Sequence, residues 1–381
     1  MRIAYWLGGV GDKFGSLERY NILLAEACLQ RGHELVVIHD KPNTVSEYAE
    51  RLCAARAELI VIGDTYACPR TALGNASRFI RSWKPDIVHT HFVNPLALPM
   101  LKLLGVPLLY QTYHTGIDHP ICLRTRMIRC VVQLCTRRVL AVSERMRRDV
   151  IRAGVMARHA RTLPLGLPIR DFLAATNFLG PQVPTGYNDP GIKIIITVGR
   201  FFPEKGMRYV VEAAVEVAKQ RSDVLWWLVG RDGPEREYAY SLVRNSGQTE
   251  RILFLGQRND VPALMKKAYV QVVGSLYEGL PLMTLESSAC GVPTVGTQIG
   301  GLDEVVLDGV TGILAPRCSG SALAEATLRL LDHRQLRDQF GQAARSHVEE
   351  HYDAEVLVRR LLDMYEADCC RDSRDTSKAI A

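Results

Sequence analysis

Short apolar runs recur along the whole chain, and in its second half nearly all of them are followed by a glycine-rich turn. They occupy residues 2–6, 34–39, 58–62, 86–90, 106–111 and 138–143, and then 194–198, 225–229, 252–255, 270–273, 293–296 and 311–314. Residues 207–218 instead place apolar side chains three and four positions apart, the spacing of an amphipathic helix. Strands alternating with helices predict an α/β protein in which each half is a Rossmann-like, doubly wound parallel sheet.

The alternation of predicted strands and helices is interrupted once and then resumes, which predicts two domains. Residues 170–191 contain three prolines and three glycines without a clear period, so we interpret them as the linker region. The predicted domains are 1–170 and 171–351. They are followed by a C-terminal segment, 352–381, with a helix over 352–365 and a polar, frayed tail from Cys369.

Composition excludes several classes of protein. Of 381 residues, 47% are apolar and 23% are charged, as in a globular chain. We find no eighteen-residue apolar run and no signal peptide, so we expect a cytoplasmic protein. Ten cysteines form no zinc-binding spacing, which favours reduced thiols over a metal site.

Positive charge is concentrated in the first half. Residues 1–170 carry 24 Lys and Arg against 13 Asp and Glu, whereas the remainder carries 23 against 28. Eleven arginines lie between Arg124 and Arg161. This region suits an anionic membrane surface or anionic acceptor, or it is simply a solvated arginine-rich face. Nucleic acid is disfavoured, because no aromatic residues are interleaved with the arginines.

The segment 275–293 contains the strongest candidate chemistry. Glu278 and Glu286 flank a predicted helix over 281–290, which begins near Pro281 and ends at a Gly-Val-Pro sequence. The amides of Gly279, Leu280, Leu282 and Met283 would face outward at the helix start and favour a phosphate. Carboxylates on both sides of a phosphate suit a nucleotide sugar. The alternative is an amphipathic helix with two surface glutamates.

Polar residues follow other predicted strands. The loop 199–206 carries Arg200 and Lys205, which could neutralise a diphosphate leaving group. His114 follows the 106–111 strand in a loop of small residues. For His89 and His91 we favour a structural role, with the rings satisfied by neighbouring backbone.

The first glycine-rich loop marks a crevice but breaks the dinucleotide fingerprint. Gly9 and Gly11 fit the first two glycines of that pattern, whereas Phe14 occupies the third place. A dehydrogenase is therefore disfavoured, although Asp40 would suit a ribose.

Taken in order, these motifs resemble the retaining family-4 glycosyltransferases with the two-Rossmann-domain (GT-B) architecture. The resemblance covers about residues 1–365. It rests on GSLE at 15–18, GRFFPEKG at 199–206, VGRDGP at 229–234, FLG at 254–256, EGLPLMTLE at 278–286, ACGVPTV at 289–295, GGLDE at 300–304 and DGVTGIL at 308–314. Ser16 departs from this pattern, because the family often has a second glycine there.

The resemblance implies roles for individual residues. The donor would be a UDP- or GDP-sugar, bound through Gly15, Gly256 and the 278–286 segment. Arg200 and Lys205 would hold the diphosphate, Glu286 the ribose and Glu278 the transferred sugar, while His114 would lie near the anomeric carbon. The resemblance also implies that no metal is needed and that the last helix returns to the first domain.

We therefore expect a retaining transferase that uses a glycan or lipid-linked acceptor, peripheral to the inner membrane face. Two alternatives stay open: an epimerase or phosphorylase on the same fold, and a non-catalytic binding subunit. The second would be expected to lack Arg200, Lys205 or Glu278, all of which are present.

Overall fold

The computed structural model describes residues 1–8, 14–43, 45–114, 123–177 and 188–380, with side chains up to residue 372. Within these ranges the chain forms two compact units, residues 1–168 with 354–381, and residues 169–353. The predicted Gly9 and Gly11, the small residues after His114 and the middle of the predicted linker lie outside the described residues.

Strands and helices alternate through residues 1–177. The elements are β1 (Arg2–Leu7), α1 (Ser16–Gln30), β2 (Glu34–His39), α2 (Ser46–Ala54), β3 (Glu58–Val61), α3 (Pro69–Trp83), β4 (Ile87–His91), α4 (Ala97–Leu103), β5 (Leu108–Tyr113), α5 (Leu123–Cys135), β6 (Arg138–Ala141), α6 (Glu144–Arg152), β7 (Ala160–Thr162) and α7 (Ile169–Ala174), followed by a 3₁₀ turn at Ala175–Asn177.

The alternation continues from residue 188 and ends in three helices. The elements are β8 (Lys193–Val198), a 3₁₀ turn at Pro203–Lys205, α8 (Met207–Gln220), β9 (Val224–Val229), α9 (Arg236–Ser246), β10 (Ile252–Gly256), α10 (Val261–Lys267), β11 (Val270–Val273), α11 (Leu282–Ala289), β12 (Thr294–Thr297), β13 (Gly312–Ala315), α12 (Gly320–Asp332), α13 (Arg334–His351) and α14 (Ala354–Ile380).

Each unit contains one parallel sheet. The seven-stranded sheet has the order β3-β2-β1-β4-β5-β6-β7, and the six-stranded sheet has the order β10-β9-β8-β11-β12-β13. Chain order reverses between β1 and β4 in the first sheet and between β8 and β11 in the second. Ligands of such sheets bind at this reversal, beyond the carboxyl ends of the strands. The structure confirms the predicted pair of doubly wound sheets.

Continuous apolar strands allow both faces of each sheet to be buried. In β9, Trp226 packs into one apolar cluster with α8 and α12, and the adjacent Trp227 packs into a second cluster with α10. Successive side chains of a strand point to opposite faces, so a run without polar residues needs helices on both sides. These cores fix the strand ends and therefore the loops that follow them.

The last helix, α14, belongs to the first unit. Arg31 contacts Asp363 at 2.7 Å, and His33 contacts Glu366 at 2.9 Å. Deeper in the unit, Arg138 donates two hydrogen bonds to the fully buried Asp368. The return of the C-terminal helix to the first domain is thus confirmed.

Some predicted limits are wrong. The final helix runs from Ala354 to Ile380, not from 352 to 365, so the tail is not frayed from Cys369. Buried Asp368 ties the helix to the sheet beyond the predicted end. The first sheet also ends in β7, a strand that the apolar pattern does not predict. Within the described residues, no helix combines the length and apolar character required to cross a bilayer.

Candidate active site

The loops at the reversal point of the second sheet are locked together through glycine. A Cβ on Gly206 would lie 2.0 Å from the carbonyl oxygen of Gly274, so the loop after β8 and the loop after β11 pack backbone against backbone. Gly206 also has φ of +56°, which favours glycine. The Leu276 amide donates to the Glu204 carbonyl at 2.9 Å. The two loops therefore hold a fixed relative position.

This packing brings Lys205 and Glu278 into contact. Nζ of Lys205 lies 2.6 Å from Oε1 of Glu278, and the Ser275 hydroxyl donates to the same oxygen at 2.7 Å. Both charged side chains are largely buried. A lysine ammonium has three N–H donors, so Lys205 can hold Glu278 and still donate to a further anion. The structure thus joins two predicted site residues that are 73 positions apart.

Arg200 lies in the same loop but is held more weakly. Its Nη2 contacts Glu204 at 3.0 Å, and its guanidinium lies 4.8 Å from the centre of the Phe202 ring. The side chain is half exposed. An exposed ion pair between residues four apart contributes little, so a phosphate can displace Glu204 from Arg200 at small cost.

The helix after β11 presents its amino terminus at this site. Pro281 is the N-cap residue of α11, and the amides of Thr284 and Leu285 donate to its carbonyl. The preceding amides of Leu282 and Met283 lie before the first donors of the helical ladder, as predicted for an anion site. Predicted over 281–290, the helix spans Leu282–Ala289.

A buried polar network fixes α11 to the sheet. Gln271 of β11 donates to the Met283 carbonyl at 3.1 Å and accepts from the Ser287 hydroxyl at 2.7 Å. Thr294 of β12 donates to the same Gln271 oxygen at 3.0 Å. Since each partner is satisfied, the network orients the helix start as well as stabilising it.

Glu286 lies one turn into α11 and is only 9% exposed. The alternative of two surface glutamates is therefore wrong, because Glu278 is also mostly buried. Residues of this type are almost never fully buried without partners, and Glu286 does have one in the structure.

Two other glycine contacts shape the site. A Cβ on Gly301, where φ is +93°, would lie 2.4 Å from the carbonyl oxygen of Glu278. On the other side, Gly230 packs against the carbonyl of Gly199 and donates its amide to Gly256 at 2.8 Å. The backbone of Gly256 is therefore linked through Gly230 to the loop that carries Arg200. The loop after β12 packs against the backbone of Glu278 and Gly279.

The remaining predicted donor residue, Gly15, lies in the first unit. It is the N-cap residue of α1, and its amide donates to the Glu18 carboxylate at 2.9 Å. Ser16, where the resembled family often has glycine, is the buried first residue of the helix. Gly15 therefore lies at a helix amino terminus whose cap is already formed.

His114 directly follows β5 and is partly buried. Its Nε2 lies 2.8 Å from Nδ1 of His91, and its ring stacks on Phe92 with centroids 4.1 Å apart. Burial lowers the pKa of His114 to about 3. The expectation that His89 and His91 are satisfied by backbone is wrong, because their partners are side chains of β5 and α14 and His114 itself.

Sequence reasoning missed several supporting residues. Ser275 orients Glu278, and the Thr297 hydroxyl holds the Ser275 carbonyl. Phe92 has φ of +57°, an unusual conformation for a bulky residue, and it forms one wall beside His114. The sequence signal for Gly301 was its place in the GGLDE motif, whereas Phe92 gave none. Among the described residues, no three His, Cys, Asp or Glu side chains are grouped to hold a metal ion.

Two family models cover most of the chain. Residues 187–347 match glycosyl transferases group 1, and residues 17–170 match glycosyltransferase family 4. The chain is 33% identical over 183 residues to N-acetyl-alpha-D-glucosaminyl L-malate synthase of Bacillus anthracis, a match that spans 48% of this chain and 47% of that protein.

Longer matches agree with the family models. Phosphatidyl-myo-inositol mannosyltransferase of Mycobacterium leprae is 27% identical over 368 residues, which cover 93% of this chain and 94% of that protein. The crystal structure of Anabaena HepE in complex with UDP and glucose superposes with a TM-score of 0.78 at 17% identity, covering 96% of this chain and all of HepE. The chain belongs to the family-4 glycosyltransferases of the group 1 type and is a transferase enzyme with the GT-B fold.

Proposed function

We propose that this enzyme transfers a sugar, with retention of anomeric configuration, from a nucleotide-diphosphate sugar to a glycan or lipid-linked acceptor in polysaccharide or glycolipid synthesis. The observation that carries the proposal is the 2.6 Å contact between Lys205 and Glu278, made where the second sheet reverses. One loop supplies cations for a diphosphate. The other supplies a carboxylate for sugar hydroxyls beside a helix amino terminus.

In this proposal the donor is bound from its two ends. Glu286 holds the ribose. The backbone amides of Gly279, Leu280, Leu282 and Met283 face the phosphates and the sugar. The family resemblance implies further donor contacts from Gly256 and from Gly15. The relative HepE was crystallised with UDP and glucose, which supports a UDP-sugar over a GDP-sugar.

The chemistry requires stabilisation of a leaving diphosphate. As the bond between the anomeric carbon and the phosphate oxygen breaks, negative charge develops on that oxygen beside Lys205 and Arg200. The acceptor hydroxyl forms the new bond on the same face, and the departing phosphate oxygen takes its proton. His114 contacts the sugar near the anomeric carbon. Because the two cations supply the positive charge, we propose that the reaction needs no metal.

The acceptor proposal rests on the first unit. The exposed face of α5 carries apolar residues beside arginines, which suits a lipid-linked acceptor at an anionic membrane surface. The mycobacterial relative is named for transfer to phosphatidyl-myo-inositol. We propose a peripheral association with the membrane that carries this acceptor.

The decisive experiment is a donor screen followed by product analysis. Thermal shift with UDP- and GDP-sugars identifies the donor, and transfer to glycan and lipid-linked acceptors is then measured with and without EDTA. We expect a new glycoside of unchanged anomeric configuration at the same rate in EDTA. An isomerised sugar or a sugar phosphate would identify an epimerase or phosphorylase instead. Binding without turnover would identify a non-catalytic subunit.

A further inference from the structure

Two histidines of β4 lie side by side but have different partners. His89 has both ring nitrogens engaged, Nδ1 with the Tyr365 hydroxyl and Nε2 with the Thr112 hydroxyl at 2.6 Å. His91 contacts His114 through Nδ1, while its Nε2 is buried without a hydrogen-bond partner among the described residues. His91 therefore forms a hydrogen bond through only one ring nitrogen, and its partner is the predicted site residue His114.

Strand register explains this arrangement. His91 is paired with Thr112 across β4 and β5, and His114 follows Thr112 by two positions, which places it on the same face. Each of the two histidines of β4 thus contacts the residue two positions after its own register partner. His89 bonds Thr112, and His91 bonds His114.

The direction of the bond between the two rings follows from burial. Burial lowers the pKa of His91 well below its ordinary value and that of His114 to about 3, so both rings are neutral near pH 7. One neutral ring must donate and the other must accept. A proton on Nε2 of His91 would be a buried N–H without an acceptor, whereas a proton on Nδ1 leaves only an unused lone pair. Buried donors are left unpaired more rarely than acceptors.

We propose that His91 is a positioning residue that fixes His114 in the tautomer with its proton on Nδ1. The His91 Nδ1–H donates to Nε2 of His114, and the nitrogen bonded in this way determines where the other proton resides. His114 then offers one N–H donor of defined position to an oxygen of the bound nucleotide sugar. This last step rests on the proposed function. Phe92, stacked on the ring at 22° between the planes, holds its orientation.

Nitrogen NMR of the unliganded full chain, labelled with ¹⁵N-histidine, tests the tautomer directly. The His114→Gln variant assigns the His114 signals. We expect a protonated Nδ1 and an unprotonated, hydrogen-bonded Nε2 for His114 in the wild type. A proton on Nε2 of His114, or a rapid mixture of both tautomers, would overturn the proposal without reference to any substrate.

Three variants separate positioning from packing. His91→Asn keeps an N–H donor close to the position of Nδ1 and should preserve the His114 tautomer, whereas His91→Leu removes the donor and should shift it toward Nε2–H. His89→Gln, on the same strand, is the control and should leave the His114 tautomer unchanged even where it lowers stability. An unchanged tautomer in a folded His91→Leu variant would contradict the proposal.

Affinities for UDP and UDP-glucose then connect the tautomer to the site. We expect His91→Leu to weaken UDP-glucose relative to UDP by about tenfold, the factor expected when one hydrogen bond from His114 to the sugar is lost, with His91→Asn recovering most of it. Equal losses for both ligands would argue against this role for His114. A wild type that binds neither would count against the UDP-sugar assignment and leave the NMR result standing, so the two failures are distinguishable.

Discussion

At the scale of single residues, Lys205 has two tasks that one experiment can separate. It neutralises Glu278 in the free enzyme and, in our proposal, the departing diphosphate during transfer. Lys205→Ala should lower turnover by about a hundredfold or more, since that is the effect of losing one donor aimed at a developing oxyanion. Steady-state rates on the donor found by screening give the measurement.

The control for this loss is another cation of the same unit. Lys219 is exposed in the last turn of α8, and Lys219→Ala should leave turnover unchanged. Near-wild-type turnover in Lys205→Ala would remove the assigned role. Because Lys205 and Glu278 touch, their double variant should lose less than the product of the two single losses.

Glu278 offers the second prediction at this scale. Glu278→Gln keeps an oxygen that can accept from Ser275 and Lys205 but removes the charge. We expect transfer to fall by at least about tenfold, as charge-assisted hydrogen bonds to the sugar become neutral ones. UDP affinity should change little, since Glu286 is untouched. Full transfer activity in this variant would mean that Glu278 does not touch the sugar.

At the scale of elements, the sequence predicts the positions of strands and helices, because these depend on local patterns of apolar residues and glycines. The strands before the site were located to within about two residues because continuous apolar runs and glycine turns mark them. The roles predicted for Lys205 and Glu278 come from motifs next to those strands and from the family that the motifs resemble. Their contact does not, since it depends on Gly206 packing against Gly274 across the sheet reversal. The contact between His91 and His114 is not predictable from local pattern either, since it depends on the register of β4 against β5.

The end of α14 shows the limit most clearly. Its sequence is polar after Cys369, and polarity alone predicted fraying. The ion pair that anchors the helix beyond its predicted end joins Arg138 to Asp368, 230 positions away. A contact of that separation leaves no periodic signal in either segment. The fold class is therefore predictable from the sequence. For α14, only the part before the buried residue Asp368 is predictable.

This anchor gives a stability prediction. Arg138 donates to Asp368 at 2.6 and 2.7 Å, and the Tyr110 hydroxyl donates at 2.9 Å. Asp368→Asn should reduce the free energy of unfolding of the first unit by about 3 kcal/mol, the lower end for breaking a buried pair, because Arg138 is partly exposed. Denaturant unfolding and hydrogen exchange of the α14 amides measure the loss.

A matched substitution on the same helix is the control. Asp363 also pairs with an arginine at 2.7 Å, but it is 64% exposed, so Asp363→Asn should cost less than about 1 kcal/mol. Equal losses in the two variants would show that burial of Asp368 does not matter.

The same anchor has a predictable pH dependence. Burial alone would raise the pKa of Asp368, but hydrogen bonds from Arg138 and Tyr110 and the nearby charges hold it below its ordinary value. A lowered pKa in the folded state gives stability that is present above the ordinary carboxyl pKa and lost as pH falls through the folded-state value. The Asp368→Asn variant should therefore lose less stability than the wild type on acidification.

At the scale of the whole molecule, charge and exposed apolar surface coincide on the first unit. Several of the eleven arginines between Arg124 and Arg161 have structural partners, among them Arg138 with Asp368 and Arg147 with Glu144. The solvated-face interpretation therefore accounts for part of this set. On α5, however, Arg124 and Arg126 are exposed beside an apolar stripe. The exposed stripe residues are Leu123, Met127, Val131 and Leu134, at helical spacing.

A helix face of this kind lies in a bilayer interface when it combines buried apolar area with attraction to anionic lipid. We therefore predict binding of the full chain to vesicles containing phosphatidylglycerol, weakened by added salt and by replacement with phosphatidylcholine. Replacing Leu123, Met127 and Leu134 together by Ser should weaken binding by about a hundredfold or more, because about 1 kcal/mol or more is lost for each apolar side chain withdrawn from the interface.

Two control variants separate the apolar from the electrostatic contribution. Arg124→Gln with Arg126→Gln should reduce affinity about thirtyfold and flatten the salt dependence, since each basic side chain near the surface contributes about 1 kcal/mol. Leu307→Ser with Val310→Ser changes two exposed apolar residues of the second unit and should have no effect. Co-sedimentation measures all of these. Binding that ignores both lipid charge and salt would show that the basic residues of the first domain do not attract the protein to the membrane.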